Sequence, residues 1–390
     1  MSIKKIHTTL LSNNNPKIGL LLTGGGARAA YQVGVLRAIA ELLPDNSNNP
    51  FPVICGTSAG AINAASIAVA ANDFQEGSRL LEDVWANFHV SHVYRSDLVG
   101  VLKNSLRCMT ALLSKEYEKH KPVSLLDNSP LESLLLRRIP FRMLHHSIRS
   151  GALHALGITA WGYTSSQSVT FYQGSRNITP WKRAQRVGVS TSIGVKHLMA
   201  SSAIPFFFPP VKLNREFFGD GSMRQLTPIS PVLHLGAEKI LIIGVHKEAD
   251  DPPERVATTN YPSLAQIAGH AMNSIFVDSL DVDLERLQRI NQTVQIIPDE
   301  KLQEKNIKLR PVDTMMISPS VEINEIAQLY TQSLPLLMRS LYRAIGAMSP
   351  NGSTLLSYVL FEAPFCQALI ELGRNDTLQK KDELLQFLRT

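Results

Sequence analysis

The first seventy residues alternate between short apolar runs and amphipathic segments. Residues 17–23 (KIGLLLT) predict a buried strand that ends at three glycines. Residues 28–43 place apolar side chains at helical spacing, and residues 51–55 predict a second apolar strand. A helix of small residues follows, to about residue 71. This strand–helix–strand–helix order predicts an α/β fold with a mostly parallel central sheet flanked by helices.

The rest of the pattern predicts more helix than strand. Residues 74–150 are expected to be largely helical, with a polar and mobile surface segment at 114–122. Further strands are predicted at 153–159, 169–172, 239–245 and 293–297. Further helices are predicted at 181–202, 264–290, 322–345 and the C-terminus. The Pro/Phe-rich stretch 203–211 is predicted to be irregular.

The length of 390 residues exceeds the usual limit for one hydrophobic core. We therefore expect three parts. Residues 1–16 form an N-terminal tail, residues 17–247 form the α/β domain, and residues 248–390 form a mostly helical extension packed on or beside it. A polar, proline-containing stretch at 248–263 marks the boundary.

The charge balance is mildly basic, with 39 Lys and Arg against 33 Asp and Glu. The densest basic runs are only pairs, Arg137–Arg138 and Lys380–Lys381, so no nucleic-acid-binding face is predicted. The surplus suits an anionic membrane surface or an acidic substrate better. Peripheral membrane contact is therefore open, and composition does not address the oligomeric state.

The three cysteines, Cys55, Cys108 and Cys366, are widely spaced and form neither a disulfide framework nor a metal cluster. They favour a reducing, cytoplasmic location. The N-terminus lacks the apolar core of a secretory signal. The most apolar stretch, residues 61–71, is too short to cross a bilayer. We expect no transmembrane helix.

The clearest candidate for chemistry is the pentapeptide G-T-S-A-G, from Gly56 to Gly60. It lies between a predicted strand and a predicted helix. In such a turn the serine is held in a strained conformation, the glycines avoid collision, and the following helix directs its positive end at the site. Ser58 is thus a candidate nucleophile, although a structural loop of small residues is the competing interpretation.

The glycine-rich segment TGGGARAA, residues 23–30, separates the first strand from the first helix. Its exposed N–H groups could hold an anion. A P-loop is excluded because Gly-Lys-Ser/Thr is missing. A dinucleotide loop (Gly24-x-Gly26-x-x-Ala29) lacks the acidic residue expected about 20 positions later. We favour an oxyanion hole for Ser58, because parallel neighbouring strands bring their C-terminal loops together.

A serine nucleophile needs a base, and the sequence offers two kinds. Asp220, in the sequence FFGDGS, is by itself more typical of a β-turn. His234, His246 and His270 follow it and could complete a Ser–Asp–His order, but none lies in a recognisable motif. His89/His92 and His145/His146 lack the companion spacing of a zinc site, so no metal is expected.

The ordered motifs GGGARAAYQVGVLRAI, GTSAGAINA, ASSAIPFFFPPV and DGS resemble those of the patatin-like phospholipases across residues 17–245. The resemblance implies a three-layer α/β/α fold and hydrolysis of lipid acyl esters by a Ser–Asp dyad, without histidine, metal or cofactor. It implies Ser58 as nucleophile, Asp220 as base and the loop Gly24, Gly25, Gly26, Ala27 and Arg28 as oxyanion hole.

Two positions depart from the family's motifs. Ala29 stands where the glycine loop usually has glycine, and Ser222 follows Asp220-Gly221 in place of Gly or Ala. Alanine costs little at a helical position, so we expect an active enzyme; an inactive lipid-binding protein is the alternative.

The expected substrate is a lipid ester, a phospholipid or lysophospholipid, with Phe206, Phe207 and Phe208 as candidates for the acyl pocket or for core packing. Arg28 either holds the loop, meets a phosphate head group or is a solvated helix start.

Overall fold

The computed structural model describes residues 17–95 except 46 and 48, and residues 124–248, 261–305 and 309–389. The predicted polar segment at 114–122, the tail 1–16 and Cys108 lie outside the described residues. The strands are β1 Ile18–Leu22, β2 Val53–Thr57, β3 Ala155–Gly162, β4 Ser168–Gly174, β5 Trp181–Arg183, β6 Arg186–Ser190, β7 Val211–Leu213, β8 Glu216–Asp220, β9 Lys239–Ile243 and β10 Asp313–Ile317.

Helices connect and cover these strands. They are α1 Ala30–Leu42, α2 Ala59–Val69, α3 Phe74–Ala86, α4 Val90–Val93, α5 Ser129–Arg138, α6 Arg142–Ser150, α7 Val195–Ser201, α8 Ser230–His234, α9 Leu264–Phe276, α10 Asp278–Ile296, α11 Asp299–Glu304, α12 Ile323–Leu329, α13 Leu336–Ala344, α14 Ser353–Val359, α15 Ala363–Gln379 and α16 Lys381–Arg389. Short 3-10 helices include Gly26–Ala29 before α1 and Gly221–Arg224 after β8.

The central sheet has the strand order β10-β9-β1-β2-β3-β4-β6-β5, with β8 attached to β3 and β7 to β8. The pairs from β10 to β3 are parallel, whereas β3 pairs with β4 and β8 in the antiparallel direction. This mixed, mostly parallel sheet confirms the predicted fold class.

Helices cover both faces of the sheet. On β1, Leu20 and Leu22 join one core with α1, α2 and α3, while Leu21 joins a second core. That second core includes Leu280 and Leu287 of α10. Alternate residues of a strand face opposite sides, so the apolar run of β1 is buried between two helical layers.

The C-terminal third shares the sheet and core of the first two thirds. β10 extends the sheet beside β9. Helix α15 packs along α1, where the carbonyl of Ile370 approaches Gly34 and the Tyr31 hydroxyl donates to Asp376 at 3.0 Å. Helix α15 therefore supports α1, and α14 packs against the 3-10 turn Gly26–Ala29 of the glycine loop.

Two sequence-based assignments were wrong, and three strands were missed. Residues 293–296 are the end of α10, and Ile297 is its C-cap. The buried Leu280, Leu287 and Val294 of this helix recur at seven-residue intervals, as in an amphipathic helix. Residues 181–202 form β5, β6 and the short α7, because the Trp181 ring packs against Gly188 of a hairpin. Strands β7, β8 and β10 were not predicted.

Membrane-spanning character is weak in the part of the chain that the structure describes. There, no single helix combines the length and apolar composition needed to cross a bilayer. One pair of segments, Pro350–Val359 and Ala363–Gln379, meets those criteria only when taken together, and it is bent by 90°.

Candidate active site

Ser58 lies at a sharp turn between β2 and α2. Its φ is 55° and its ψ is −129°, a conformation that non-glycine residues rarely adopt. Gly56 and Gly60 make the turn possible. A Cβ on Gly56 would collide with the carbonyl of Gly60, and one on Gly60 would collide with the carbonyls of Leu22 and Thr23. The pentapeptide therefore forms a strained strand-to-helix turn.

The topology of β3 explains why Ser58 and Asp220 meet. β2 pairs with the first part of β3, where Thr57 lies opposite Thr159. β4 occupies the other edge of β3, so β8 must follow β2 on the same edge, and there Asp220 lies opposite Ala160. The C-terminal ends of β2 and β8 therefore face each other, because they pair with the adjacent residues Thr159 and Ala160 of β3.

The two side chains are hydrogen-bonded. Ser58 Oγ donates to Asp220 Oδ2 at 2.6 Å. Asp220 Oδ1 accepts from the N–H of Ser222 at 2.9 Å, and the Asp220 N–H donates to the carbonyl of Ala203 at 2.9 Å. Both carboxylate oxygens thus have a donor, which fixes the carboxylate's orientation toward the serine.

Burial changes the acidity of Asp220. The residue has no exposed surface, and desolvation raises its pKa from 3.8 to about 6, against the opposing effect of the hydrogen bonds from Ser58 and Ser222. A carboxylate with a pKa near 6 is a better proton acceptor than a solvated one and is still ionised at neutral pH. The pair therefore has the geometry and acidity of a nucleophile and its general base.

The glycine loop lies beside this pair. Gly24 packs against Ser222 and Phe276, and Gly26, with φ of 55°, lines the same cavity as Ser58. Gly26–Ala29 form a 3-10 turn that continues into α1, and Gly25 caps it. The first N–H groups of a helix generally have no partner within it, but here the Arg28 N–H donates to the carbonyl of Gly25 at 3.1 Å. Donors for a ligand would therefore come from earlier residues of the loop. The departure at Ala29 falls on a helical residue with φ of −65°.

Arg28 anchors the glycine loop to helix α14, on the side away from the cavity. Its guanidinium is buried, its Nε donates to Ser357 Oγ at 2.8 Å, and its Cζ lies 4.0 Å from the centre of the Tyr358 ring. Burial lowers the pKa of Arg28, while Tyr358 and Glu322 oppose that effect. A guanidinium in these surroundings cannot reach a lipid head group, so of the three interpretations the structure favours holding the loop.

A largely apolar cavity of about 310 Å³ begins at Ser58. One face of α2 forms its floor from end to end, through Ala59, Ile62, Ser66, Val69 and Ala70. Helices α3 and α5 form the walls. The lining residues Leu80, Arg137, Arg138 and Pro140 are exposed, and we call them the cavity mouth. The volume lies at the lower end of the range for ligand pockets.

Of the three phenylalanines proposed for the acyl pocket, the structure brings only Phe208 to the cavity lining. Phe207 is partly buried against the main core. Phe206 is 83% exposed and has φ of 67°. The prolines on either side allow only an irregular path, and that path points the three rings in different directions.

The histidines lie away from the Ser–Asp pair. His234 stacks on Trp181 with ring centres 4.8 Å apart, and burial lowers its pKa to about 4. His246 Nε2 lies 3.5 Å from Asp281 Oδ1. In the described part of the chain, no histidine is hydrogen-bonded to Ser58 or Asp220, and no group of three His, Cys, Asp or Glu could hold a metal ion.

Two serines of the site were not singled out from the sequence. Ser201 Oγ accepts from the Ser58 N–H at 2.9 Å and donates to the carbonyl of Thr159 at 2.6 Å, which ties the turn to β3. Ser202 lines the cavity, and its buried hydroxyl has no hydrogen-bond partner. Their position in the motif ASSAIP, just before the Pro/Phe stretch, was the available signal.

The sequence model of the family described as "Patatin-like phospholipase" matches residues 20–233, more than half of the chain. No curated protein sequence is significantly similar to the chain.

Solved structures show weaker similarity. VipD from Legionella pneumophila is 12% identical with a TM-score of 0.34, and the match covers 95% of this chain and 67% of that one. Human GIVD cytosolic phospholipase A2 is 12% identical with a TM-score of 0.42, covering 96% and 60%. The type III effector ExoU is 16% identical with a TM-score of 0.30, covering 96% and 54%. At such scores these structures carry no argument about activity, and the chain spans only about two thirds or less of their lengths.

Proposed function

The chain belongs to the patatin-like phospholipase family, a family of hydrolases of lipid acyl esters, and on this premise we propose that it cleaves fatty acyl esters through an acyl-enzyme on Ser58. The observation that carries the proposal is the 2.6 Å hydrogen bond from Ser58 Oγ to Asp220 Oδ2. Catalytic residues come from residues 17–247, and residues 248–390 support the glycine loop.

The first step is proton transfer coupled to attack. Asp220 takes the hydroxyl proton of Ser58 while Oγ forms a bond to the acyl carbonyl carbon. The pKa of about 6 suits this role, because Asp220 is ionised at neutral pH and is poorly solvated. The proton then passes from Asp220 to the departing alcohol oxygen. Water, deprotonated by the same carboxylate, hydrolyses the acyl-enzyme and restores Ser58.

The tetrahedral oxyanion needs donors that are fixed before the reaction. Within the loop from Gly24 to Arg28, the Arg28 N–H already donates to the carbonyl of Gly25 at 3.1 Å. We therefore assign this role to the backbone N–H groups of Gly24, Gly25, Gly26 and Ala27, together with the N-terminal turn of α2, which begins at Ala59. One such donor contributes about 3–4 kcal/mol of transition-state stabilisation. The N–H of Ser58 itself is occupied by Ser201.

The acyl chain occupies the cavity along α2. From Ser58 to Ala70 the helix rises by about 18 Å. An extended chain gains roughly 1.2 Å per covalent bond, so this length holds an acyl chain of about 15 bonds. The unpaired hydroxyl of Ser202 provides a polar contact near the ester. A phospholipid or lysophospholipid with a long acyl chain is the substrate that we propose, handled in a reducing, cytoplasmic compartment.

The test is acyl release from mixed phospholipid vesicles and from lysophospholipid, followed by identification of the released fatty acids. We expect Ser58→Ala and Asp220→Asn to lose activity by a factor of about 10³ or more, because each removes a group that reacts. His234→Ala and His246→Ala serve as controls and should retain it. Undiminished release by Ser58→Ala would end the proposal. Vesicle binding without acyl release by the wild-type protein would identify an inactive lipid-binding protein instead.

A further inference from the structure

The chain distributes its charges unevenly. From Ser133 to Arg215 it contains no aspartate or glutamate, but eleven lysines and arginines. This acid-free run begins within α5, next to the cavity mouth, and includes all of α6. Charge asymmetry of this extent within a folded chain indicates an anionic partner.

Helix α6 concentrates part of this charge on one face. Arg142, His145, His146 and Arg149 recur at intervals of three and four residues, and all four are exposed. Residues between them, Leu144 and Ser147, are buried and turn the opposite face toward α2. The basic residues therefore point to solvent together.

A groove of about 300 Å³ lies between α6 and the segment 173–176. His145 and Arg149 line one side, and Arg176, Gln173 and Ser175 line the other. Two guanidiniums and a hydroxyl are groups that suit a phosphate oxyanion, which arginine binds through two parallel hydrogen bonds. The groove thus offers a place for an anionic head group.

Five exposed or groove-lining arginines near the cavity mouth and α6 have no protein partner among the described residues. We call Arg137, Arg138, Arg142, Arg149 and Arg176 the basic face. No described residue forms an ion pair or hydrogen bond with any of their guanidiniums. Leu136 and Met143, both exposed, add apolar side chains among these charges.

We propose that the basic face docks the protein on the surface of an anionic lipid bilayer and so presents the cavity mouth to the membrane. The continuity of the face with the mouth favours a membrane over a nucleic acid, because Arg137 and Arg138 belong to both. Basic residues with apolar neighbours bind anionic leaflets electrostatically while the apolar side chains enter the interface. The proposal uses the acyl cavity of the proposed function but not its Ser58 chemistry.

Binding is measured in the Ser58→Ala protein, so that hydrolysis does not consume the vesicles. The probes are phosphatidylcholine vesicles with and without about 30% phosphatidylserine, tested at low and high salt. The test variant carries Arg142→Gln and Arg149→Gln in addition to Ser58→Ala. The control adds Arg286→Gln and Arg289→Gln on α10, which packs on the opposite face of the sheet. The two double substitutions are also made in the protein that keeps Ser58. Their rates of hydrolysis of a soluble short-chain ester measure the activity of the active site without a membrane.

We expect the Ser58→Ala protein to prefer anionic vesicles and to lose this binding with added salt. The Arg142/Arg149 pair should weaken vesicle binding by roughly 25-fold, since each surface cation contributes about fivefold, whereas the control pair should not. Short-chain ester hydrolysis should be unchanged by both pairs. Equal binding to both vesicle types, equal loss in the control, or binding to RNA in place of vesicles would overturn the proposal. Each of these results leaves the Ser58 mechanism untouched.

Discussion

The guanidinium of Arg28 lies 4.0 Å from the centre of the Tyr358 ring, although 330 positions separate the two residues in the chain. Arg28 belongs to the glycine loop, and Tyr358 belongs to α14 in the C-terminal third. The carbonyl of Tyr358 also approaches Gly26 closely. The conformation of the loop beside Ser58 therefore depends on a helix that lies outside the family match at 20–233.

Ser357→Ala tests this dependence. The substitution leaves a buried guanidinium N–H of Arg28 without its acceptor, at a cost of about 1–3 kcal/mol in the free energy of unfolding. We also expect a lower kcat on a short-chain ester well below Tm, because the loop loses an anchor. Ser353→Ala is the matched control on the same helix, since its hydroxyl bonds to Pro350. Equal kcat values for the two variants would contradict the anchoring role.

The pH profile of kcat/KM should reflect Asp220. Because only the ionised carboxylate accepts the serine proton, activity should rise about tenfold per pH unit below its pKa and level off above it. With the pKa raised to about 6 by burial, the midpoint should lie near pH 6. A midpoint near 4, or a profile that shifts on His246→Ala, would contradict this assignment.

The same burial predicts that Asp220 destabilises the fold at neutral pH. Its pKa is about 6 when folded and near 3.8 when unfolded, so the folded state binds the proton more tightly. Stability therefore falls as pH rises from about 4 to 6, by up to about 3 kcal/mol. Asp220→Asn removes this penalty and should raise Tm at pH 8 but not at pH 4. An equal or lower Tm at pH 8 would count against a dry site.

Acyl-chain selectivity should follow the cavity floor on α2. Ser66 lies about 12 Å along the helix from Ser58, which corresponds to about 10 bonds of an extended chain. Ser66→Phe should therefore abolish turnover of esters longer than about ten carbons and spare short ones. Leu329→Phe, at an exposed position of α12 outside the lining, is the control. A length profile unchanged by Ser66→Phe would show that acyl chains lie elsewhere.

The strand-to-helix turn, the glycine loop and their common sheet edge could be predicted because their signals are local. Residues 17–23 and 51–55 are apolar runs that end at glycines, and β1 and β2 are found within two residues of them. The Ser–Asp pairing required the family resemblance. It depends on β8 following β2 along one edge of β3, and such long-range pairing leaves no periodic signal around Asp220.

Other features were missed because the local sequence was misleading or carried no signal. Residues 293–297 have the β-branched composition of a strand, but the seven-residue spacing of buried positions makes residues 293–296 helical. The sequence around Phe206 is strongly apolar, yet that residue is exposed because the prolines fix its backbone path. The anchoring of Arg28 by Ser357 and Tyr358 could not be read from either segment alone.

Labelling with a fluorophosphonate ester, read by peptide mass spectrometry, tests the central claim most directly. We expect one adduct, on Ser58, in the wild-type protein. Ser58→Ala should carry none, and Asp220→Asn should react far more slowly because its base is lost. An adduct on a different residue, or labelling of Asp220→Asn at the wild-type rate, would contradict the Ser58–Asp220 pair as the catalytic unit.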